Sequence, residues 1–212
     1  MKAFWLCLCL WLGLALSLPA QAGTPADDLS TAAYRDNGSA ITTMLLRGVD
    51  PNLRDSQGRS ALEQAMREQN LKALDALLAA PNLDLNSVNA AGETPLMLAA
   101  IKGRLDWVEI FVKRGAQINR VGWTPLHYAA SGPDNGISTW LIAHGAEINA
   151  RAPNGNTPLM MAAKYGPYDL SAVLVKLGAD PSLHNEQGST AADFAASAGY
   201  EPLAKWLRSI QR

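Results

Sequence analysis

Cysteine is scarce in this sequence. The 212 residues contain only Cys7 and Cys9, and both lie close to the N-terminus, before Gly23. Beyond Ala22 the chain has no thiol that could form a disulfide, bind zinc or act as a nucleophile. The sequence therefore excludes a disulfide-stabilised domain and cysteine chemistry for residues 23–212.

An excess of charge of either sign is also missing. Lys and Arg total 18 and Asp and Glu total 19, which gives a formal net charge of −1. A nucleic-acid-binding or membrane-surface protein usually carries a strong basic excess, so we expect neither partner. Hydrophobic residues make up 48% of the chain, and this proportion is too high for a disordered segment.

Motifs that carry catalysis are absent. The sequence has no G-x-S-x-G elbow, no G-x-x-x-x-G-K-[ST] phosphate loop and no G-x-G-x-x-G fingerprint. The three histidines, His127, His144 and His184, lie far apart and form no H-E-x-x-H pair. We therefore predict that the protein is not an enzyme and binds no cofactor and no metal.

The segment from Met1 to Ala22 has the pattern of a secretory signal peptide. Lys2 precedes an uncharged, apolar run from Ala3 to Leu18, and the small residues Ala20 and Ala22 mark a cleavage site. The pattern resembles the bacterial Sec type, so we expect cleavage after Ala22 and a periplasmic protein. The alternative is an uncleaved membrane anchor, although the apolar run is shorter than the ~20 residues of a spanning helix.

The most informative positive feature is a repeated tetrapeptide. It occurs as Thr94-Pro95-Leu96-Met97, Thr124-Pro125-Leu126-His127 and Thr157-Pro158-Leu159-Met160, with weaker copies at Ser60-Ala61-Leu62 and Thr190-Ala191-Ala192. From one copy to the next the hydroxyl residue recurs with a period of roughly 33 residues. A fixed period of this length predicts a solenoid of stacked helical units.

The unit that contains Thr94 illustrates the local structure of each repeat. Thr94 can cap a helix whose first position suits Pro95, and Gly103 can end that helix. A second, largely apolar helix is predicted from residue 105 to residue 113, and Gly115 follows it. Each repeat is therefore expected to contain two helices joined by a turn.

The order of these elements resembles the ankyrin-repeat family, which is recognised by Thr-Pro-Leu-His-x-Ala and by Gly-Ala-Asp-x-Asn between repeats. The resemblance implies an all-α repeat solenoid of stacked helix-turn-helix ankyrin repeats, joined by short β-hairpin turns. The ankyrin-repeat domain would span residues 23–212, with a final repeat of one or two helices. The repeats are placed near residues 27–59, 60–93, 94–123, 124–156, 157–189 and 190–212.

The family resemblance also implies a partner-binding surface. Ankyrin repeats usually bind proteins through a concave face built from the turn tips and the exposed side of each first helix. The residues predicted to bind a partner on this face are Arg59, Arg67, Glu93, Lys102, Trp123, Tyr128, Lys164 and Tyr165. The aromatic members are the strongest candidates because Trp and Tyr are enriched at interface hot spots.

The fourth repeat departs from the others. Asn119 and Gly122 are three residues apart, whereas the equivalent Asn149 and Gly155 are six apart, so the turn is shortened. Trp123 can either fold over the resulting gap or contact a partner. Together with the loop at residues 131–136, the shortened turn predicts a weak point in the stack. This weak point is either a local hinge or partner-shaped notch, or the product of simple drift in a tolerant loop.

These observations predict a monomeric, non-catalytic protein-binding module that is secreted to the periplasm and binds a protein through its concave face. One version is a scaffold or protective factor for an envelope protein. A second is an immunity protein that neutralises a toxin delivered to the periplasm. A third, which requires the signal to remain uncleaved, is a membrane-tethered adaptor.

Overall fold

The computed structural model describes residues 23–211. The predicted signal peptide, with Cys7 and Cys9, lies outside these residues. The described chain forms twelve helices: α1 (Pro25–Tyr34), α2 (Gly38–Leu46), α3 (Ala61–Glu68), α4 (Leu71–Leu78), α5 (Pro95–Ile101), α6 (Leu105–Lys113), α7 (Pro125–Ser131), α8 (Asn135–Ala143), α9 (Pro158–Tyr165), α10 (Leu170–Lys176), α11 (Ala191–Ser197) and α12 (Glu201–Ile210).

The helices pair into six units that stack in chain order. The first helices of the units, α1, α3, α5, α7, α9 and α11, pack against one another in sequence. Each of them also contacts the second helix of its own unit. The predicted all-α repeat solenoid is confirmed, and the final unit has two helices.

The repeated tetrapeptide starts the first helices as its residue types predict. The hydroxyl groups of Ser60, Thr94 and Thr157 each accept a hydrogen bond from a backbone N–H three residues later. Helix α1 departs from the spacing of the other first helices. Thr24 caps it, and its first residue is Pro25. This helix therefore starts before Asp27, where the first repeat was expected to begin.

A ladder of asparagine side chains joins successive units. The Nδ2 group of Asn119 donates to the Gly145 carbonyl at 2.7 Å, and its Oδ1 accepts from the Glu147 backbone N–H at 2.9 Å. Asn52 and Asn86 make the same pair of bonds in earlier units. Each of these amides thus satisfies two backbone groups of the next repeat.

The turns between units, here called the fingers, differ from the β-hairpins that were predicted. Within residues 23–211 there are no strands, and a single antiparallel bridge joins Arg54 to Ser60. A side-chain oxygen of Asp55, Asn89 or Asn185 accepts two N–H groups from its own finger. These local bonds close the finger in a tight turn and leave too few residues for a ladder.

The core consists mainly of leucine and alanine side chains between the two helical layers. Leu126, from the repeated tetrapeptide, is fully buried. The buried apolar residues form two clusters, one within residues 29–146 and the other within residues 130–207. They meet between the fourth and fifth units, so the apolar core is divided there. No helix within residues 23–211 has the length and hydrophobicity needed to cross a bilayer.

Candidate functional site

The surface formed by the fingers and the exposed sides of the first helices is here called the inner face. Six of the eight predicted binding residues line two neighbouring cavities on it. Arg59, Arg67, Glu93 and Lys102 line a groove of about 290 Å³. Glu93 also lines a second cavity of about 240 Å³, together with Trp123 and Tyr128. Glu93 therefore connects the charged and the aromatic parts of the predicted surface.

Hydrogen bonds and an ion pair hold the basic side chains that line the charged groove. The Arg59 guanidinium pairs with the Asp55 carboxylate at 2.9 Å, and Arg67 donates to Gln64 Oε1 at 3.0 Å. Lys102 Nζ donates to the Arg67 carbonyl at 3.5 Å. All three basic side chains thus have partners on neighbouring residues of the inner face.

The buried carboxylate of Asp55 holds Arg59, one of the residues that line this groove. Burial opposes ionisation of its carboxyl, but hydrogen bonds from Arg59, Ser30 and Gln57 outweigh that effect and lower its pKa to about 2. The carboxylate is therefore charged at any physiological pH. It fixes Arg59 and ties the finger between the first and second units to α1 through the 2.7 Å bond from Ser30 Oγ.

The second cavity, here called the notch, is mostly apolar. It is lined by Glu93, Ile101, Trp123, Tyr128, Ser131 and Met161 above the buried ring of His127. Trp123 is half-buried and meets the His127 ring edge-on, with 5.2 Å between ring centroids. The indole thus packs against its own repeat and also forms a wall of an open cavity.

Tyr128 and Glu93 meet at the edge of the notch. The Tyr128 hydroxyl donates to Glu93 Oε1 at 3.2 Å, across 35 residues of sequence. Burial, and then the negative charge of Glu93, raise the pKa of Tyr128 to about 12. The hydroxyl therefore stays protonated and remains a donor to the carboxylate.

His127 has a structural role beneath the notch. Its Nδ1 accepts from the Thr124 backbone N–H at 3.2 Å, so Nε2 carries the proton and donates to the Asn156 carbonyl at 3.0 Å. Burial lowers the pKa of His127 from 6.5 to about 4. The neutral ring links the fourth repeat to the fifth, and within residues 23–211 no cluster of metal-ligating side chains forms.

The remaining two predicted residues lie further along the inner face. Lys164 Nζ lies 5.2 Å from the ring centroid of Tyr165 and 5.7 Å from that of Phe194. The Tyr165 side chain is 56% exposed. These residues line neither the groove nor the notch, and they form a separate cationic and aromatic patch.

Sequence reasoning missed other residues of the inner face. A polar cavity of about 450 Å³ at the first repeat is lined in part by Ser30, Tyr34 and Arg35, beside Arg59 and Arg67. Met161 of the notch was also overlooked. It occupies the same position in the fifth repeat as Tyr128 in the fourth, so the register that selected Tyr128 could have found it.

Comparisons with known proteins identify the repeats. A family model described as ankyrin repeats (3 copies) matches residues 29–121, 65–152, 119–185 and 134–211. Protein glp-1 of Caenorhabditis elegans is 27% identical over 195 residues, and this alignment covers 84% of the chain but 15% of glp-1. The likeness to that relative is therefore confined to a small part of it.

Two solved structures resemble the whole described fold. An ankyrin repeat domain (ABAYE2397) from Acinetobacter baumannii is 30% identical with a TM-score of 0.72, and the match covers 85% of this chain and 96% of that domain. The other is a chain in the complex of the Bd0816 predatory endopeptidase from Bdellovibrio bacteriovorus with immunity protein Bd3460. It is 28% identical with a TM-score of 0.73, and the match covers 87% of this chain and 98% of that one.

Proposed function

This chain belongs to the ankyrin-repeat family, whose repeats are protein–protein interaction modules, and from that premise we propose that it is a monomeric, non-catalytic binding protein of the bacterial periplasm. It recognises an envelope protein through its inner face and serves as a scaffold or protective factor. Recognition is stoichiometric, with no turnover of a substrate.

One observation carries the binding part of the proposal. Charged and aromatic side chains from consecutive repeats line adjoining cavities, from Arg59 and Arg67 through Glu93 to Trp123 and Tyr128. Aromatic and arginine side chains are enriched among the residues that dominate interface energetics. Their hydrogen bonds within the protein reduce the ordering cost of binding.

Export is supported by the pattern of the segment from Met1 to Ala22. The basic, apolar and small-residue parts follow each other in the order that signal peptidase requires. The N-terminal residue of the purified protein tests this point. Gly23 supports export and release, whereas Met1 on protein recovered from membranes would favour the tethered adaptor.

The binding proposal is tested by capture of partners from a periplasmic extract on residues 23–212. The control is a variant with Trp123→Ala, Tyr128→Ala and Tyr165→Ala whose fold is verified by circular dichroism. A protein that the native array retains and the variant loses supports the proposal. Equal retention by both proteins would place the interface elsewhere.

The structural comparison favours a second candidate function. A chain that matches this fold over 87% of our sequence occurs in a complex between an endopeptidase and an immunity protein. We therefore propose immunity against an enzyme active in the periplasm as the alternative. Stoichiometric inhibition of an endopeptidase from the same cell would support it, and undiminished activity at a tenfold excess of the protein would argue against that target.

A further inference from the structure

The notch contains a carboxylate that pairs with no cation. Glu93 Oε2 accepts from Asn89 Nδ2 at 2.8 Å, and Oε1 accepts from the Tyr128 hydroxyl at 3.2 Å. Both donors are neutral, and none of the ion pairs within residues 23–211 includes Glu93. A carboxylate offers about four acceptor positions, so its bonds to Asn89 and Tyr128 leave acceptor capacity for a ligand.

Two basic side chains on this part of the inner face donate to backbone carbonyls. Arg120 Nη1 donates to the Gly92 carbonyl at 2.9 Å. Lys102 Nζ, across the neighbouring groove, donates to the Arg67 carbonyl at 3.5 Å. Within residues 23–211, Glu93 therefore has no ion-pair partner at the edge of a half-enclosed cavity.

The walls beside this carboxylate are largely apolar. Ile101, Trp123 and Met161 line a space of about 240 Å³, which is large enough for a long side chain. A lysine head group is compact and strongly hydrated. A guanidinium is planar and weakly hydrated, so it can stack on an indole while it binds a carboxylate with two parallel hydrogen bonds.

We propose that the notch is a receptor for an arginine side chain of the protein partner. The guanidinium pairs with Glu93 and stacks on Trp123, and the aliphatic stem packs against Ile101 and Met161. This inference rests on the proposed binding function and specifies the chemistry of the bound segment. A partner would therefore present an exposed arginine to the fourth repeat.

The test uses small probes and needs no knowledge of the partner. N-acetyl-arginine methylamide, the lysine analogue and the leucine analogue are titrated into ¹⁵N-labelled residues 23–212, and the Trp123 indole N–H resonance is followed. We expect saturable, salt-sensitive shifts with arginine, and at least threefold weaker binding of the lysine and leucine probes.

Glu93→Gln is the decisive variant, and Glu109→Gln is its matched control, because Glu109 is exposed on the second-helix layer. We expect Glu93→Gln to weaken arginine binding about tenfold, since it removes a charge-assisted bond. Glu109→Gln should leave it unchanged. Equal binding of leucine and arginine, an unaffected Glu93→Gln variant or no binding of arginine would each overturn the proposal.

The outcome is separable from that of the proposed function. If the array captures a partner and Glu93→Gln captures it equally well, the arginine receptor is wrong and the binding function stands. If the probe binds through Glu93 but the variant with Trp123→Ala, Tyr128→Ala and Tyr165→Ala still captures the partner, the notch binds arginine but the partner binds elsewhere, and the proposed interface is wrong.

Discussion

At the scale of single residues, buried polar groups divide into those that are satisfied and those that are not. His127 and Asp55 find partners for their polar atoms, and both tie one repeat to the next. The hydroxyl groups of Ser138 and Ser171 are buried without a partner in the described structure. The first kind stabilises the stack, whereas the second kind costs free energy.

His127 should make stability depend on pH. Its pKa is lowered from 6.5 to about 4 in the folded state, so the fold favours the neutral ring. This contribution is complete above pH 6.5 and is lost as the pH falls toward 4. Between pH 7 and pH 4.5 the loss should be about 2 kcal/mol, measured by urea unfolding at the two pH values.

The matched variant for this test is His127→Met, because Met97 and Met160 occupy the same position in neighbouring repeats. Both accept the backbone N–H of the capping threonine through sulfur at 3.4 Å. The variant should lose less stability than the native protein between pH 7 and pH 4.5. Identical losses would show that His127 titrates normally.

Ser138→Ala should leave the free energy of unfolding unchanged or raise it by up to about 1 kcal/mol. The substitution removes a buried hydroxyl that has no hydrogen-bond partner in the described structure, so the cost of desolvating that hydroxyl disappears. Ala204 already fills the equivalent position of α12. The free energy of unfolding from urea titration measures the effect.

Ser60→Ala is the control for that substitution, because the Ser60 hydroxyl caps α3 by accepting the Glu63 N–H at 3.1 Å. Its loss should cost about 1 kcal/mol. A destabilised Ser138→Ala protein would mean that the Ser138 hydroxyl has a partner.

At the scale of elements, the asparagine ladder fixes each unit to the next. Asn119→Ala removes one bond to the Gly145 carbonyl and one from the Glu147 N–H. We expect a loss of about 1–2 kcal/mol in the free energy of unfolding. Asn82→Ala is the control, because the Asn82 side chain is exposed and makes no such pair of bonds. Urea titration should show little change in the free energy of unfolding of this control.

Much of this element structure follows from the sequence. Helix α6 was predicted over residues 105–113 and is observed over Leu105–Lys113, because an apolar segment bounded by glycines leaves little freedom. The first repeat was placed near residue 27, and α1 begins slightly earlier, at Pro25, because Thr24 caps it. The hairpin turns between units are too short to form strands within residues 23–211, because side-chain bonds close the fingers at Asp55, Asn89 and Asn185 in tight turns.

The site was harder to predict than the helices. Repeat register placed Tyr128 and Tyr165 on exposed first-helix positions and Trp123 beside the shortened finger, but it could not say which charged groups would meet them. The bond from Tyr128 to Glu93 spans 35 residues and depends on how neighbouring repeats stack. Contacts of this kind require the three-dimensional arrangement.

At the scale of the whole molecule, the divided core predicts two regions of separate stability. The apolar clusters meet between the fourth and fifth units, and solenoid repeats contact only their neighbours. Leu207→Ala, in the second cluster, should speed hydrogen exchange in α9–α12 and leave α1–α4 unchanged. Uniformly faster exchange along the chain would indicate a single cooperative unit.

The central claim is that the inner face binds a protein partner, and one affinity comparison tests it most directly. Calorimetry with the captured partner compares Tyr165→Ala with Ile110→Ala. Both residues are exposed, but Tyr165 lies on a first helix and Ile110 lies on the second-helix layer. We predict at least tenfold weaker binding for Tyr165→Ala and no change for Ile110→Ala. Weakening by Ile110→Ala alone would contradict it.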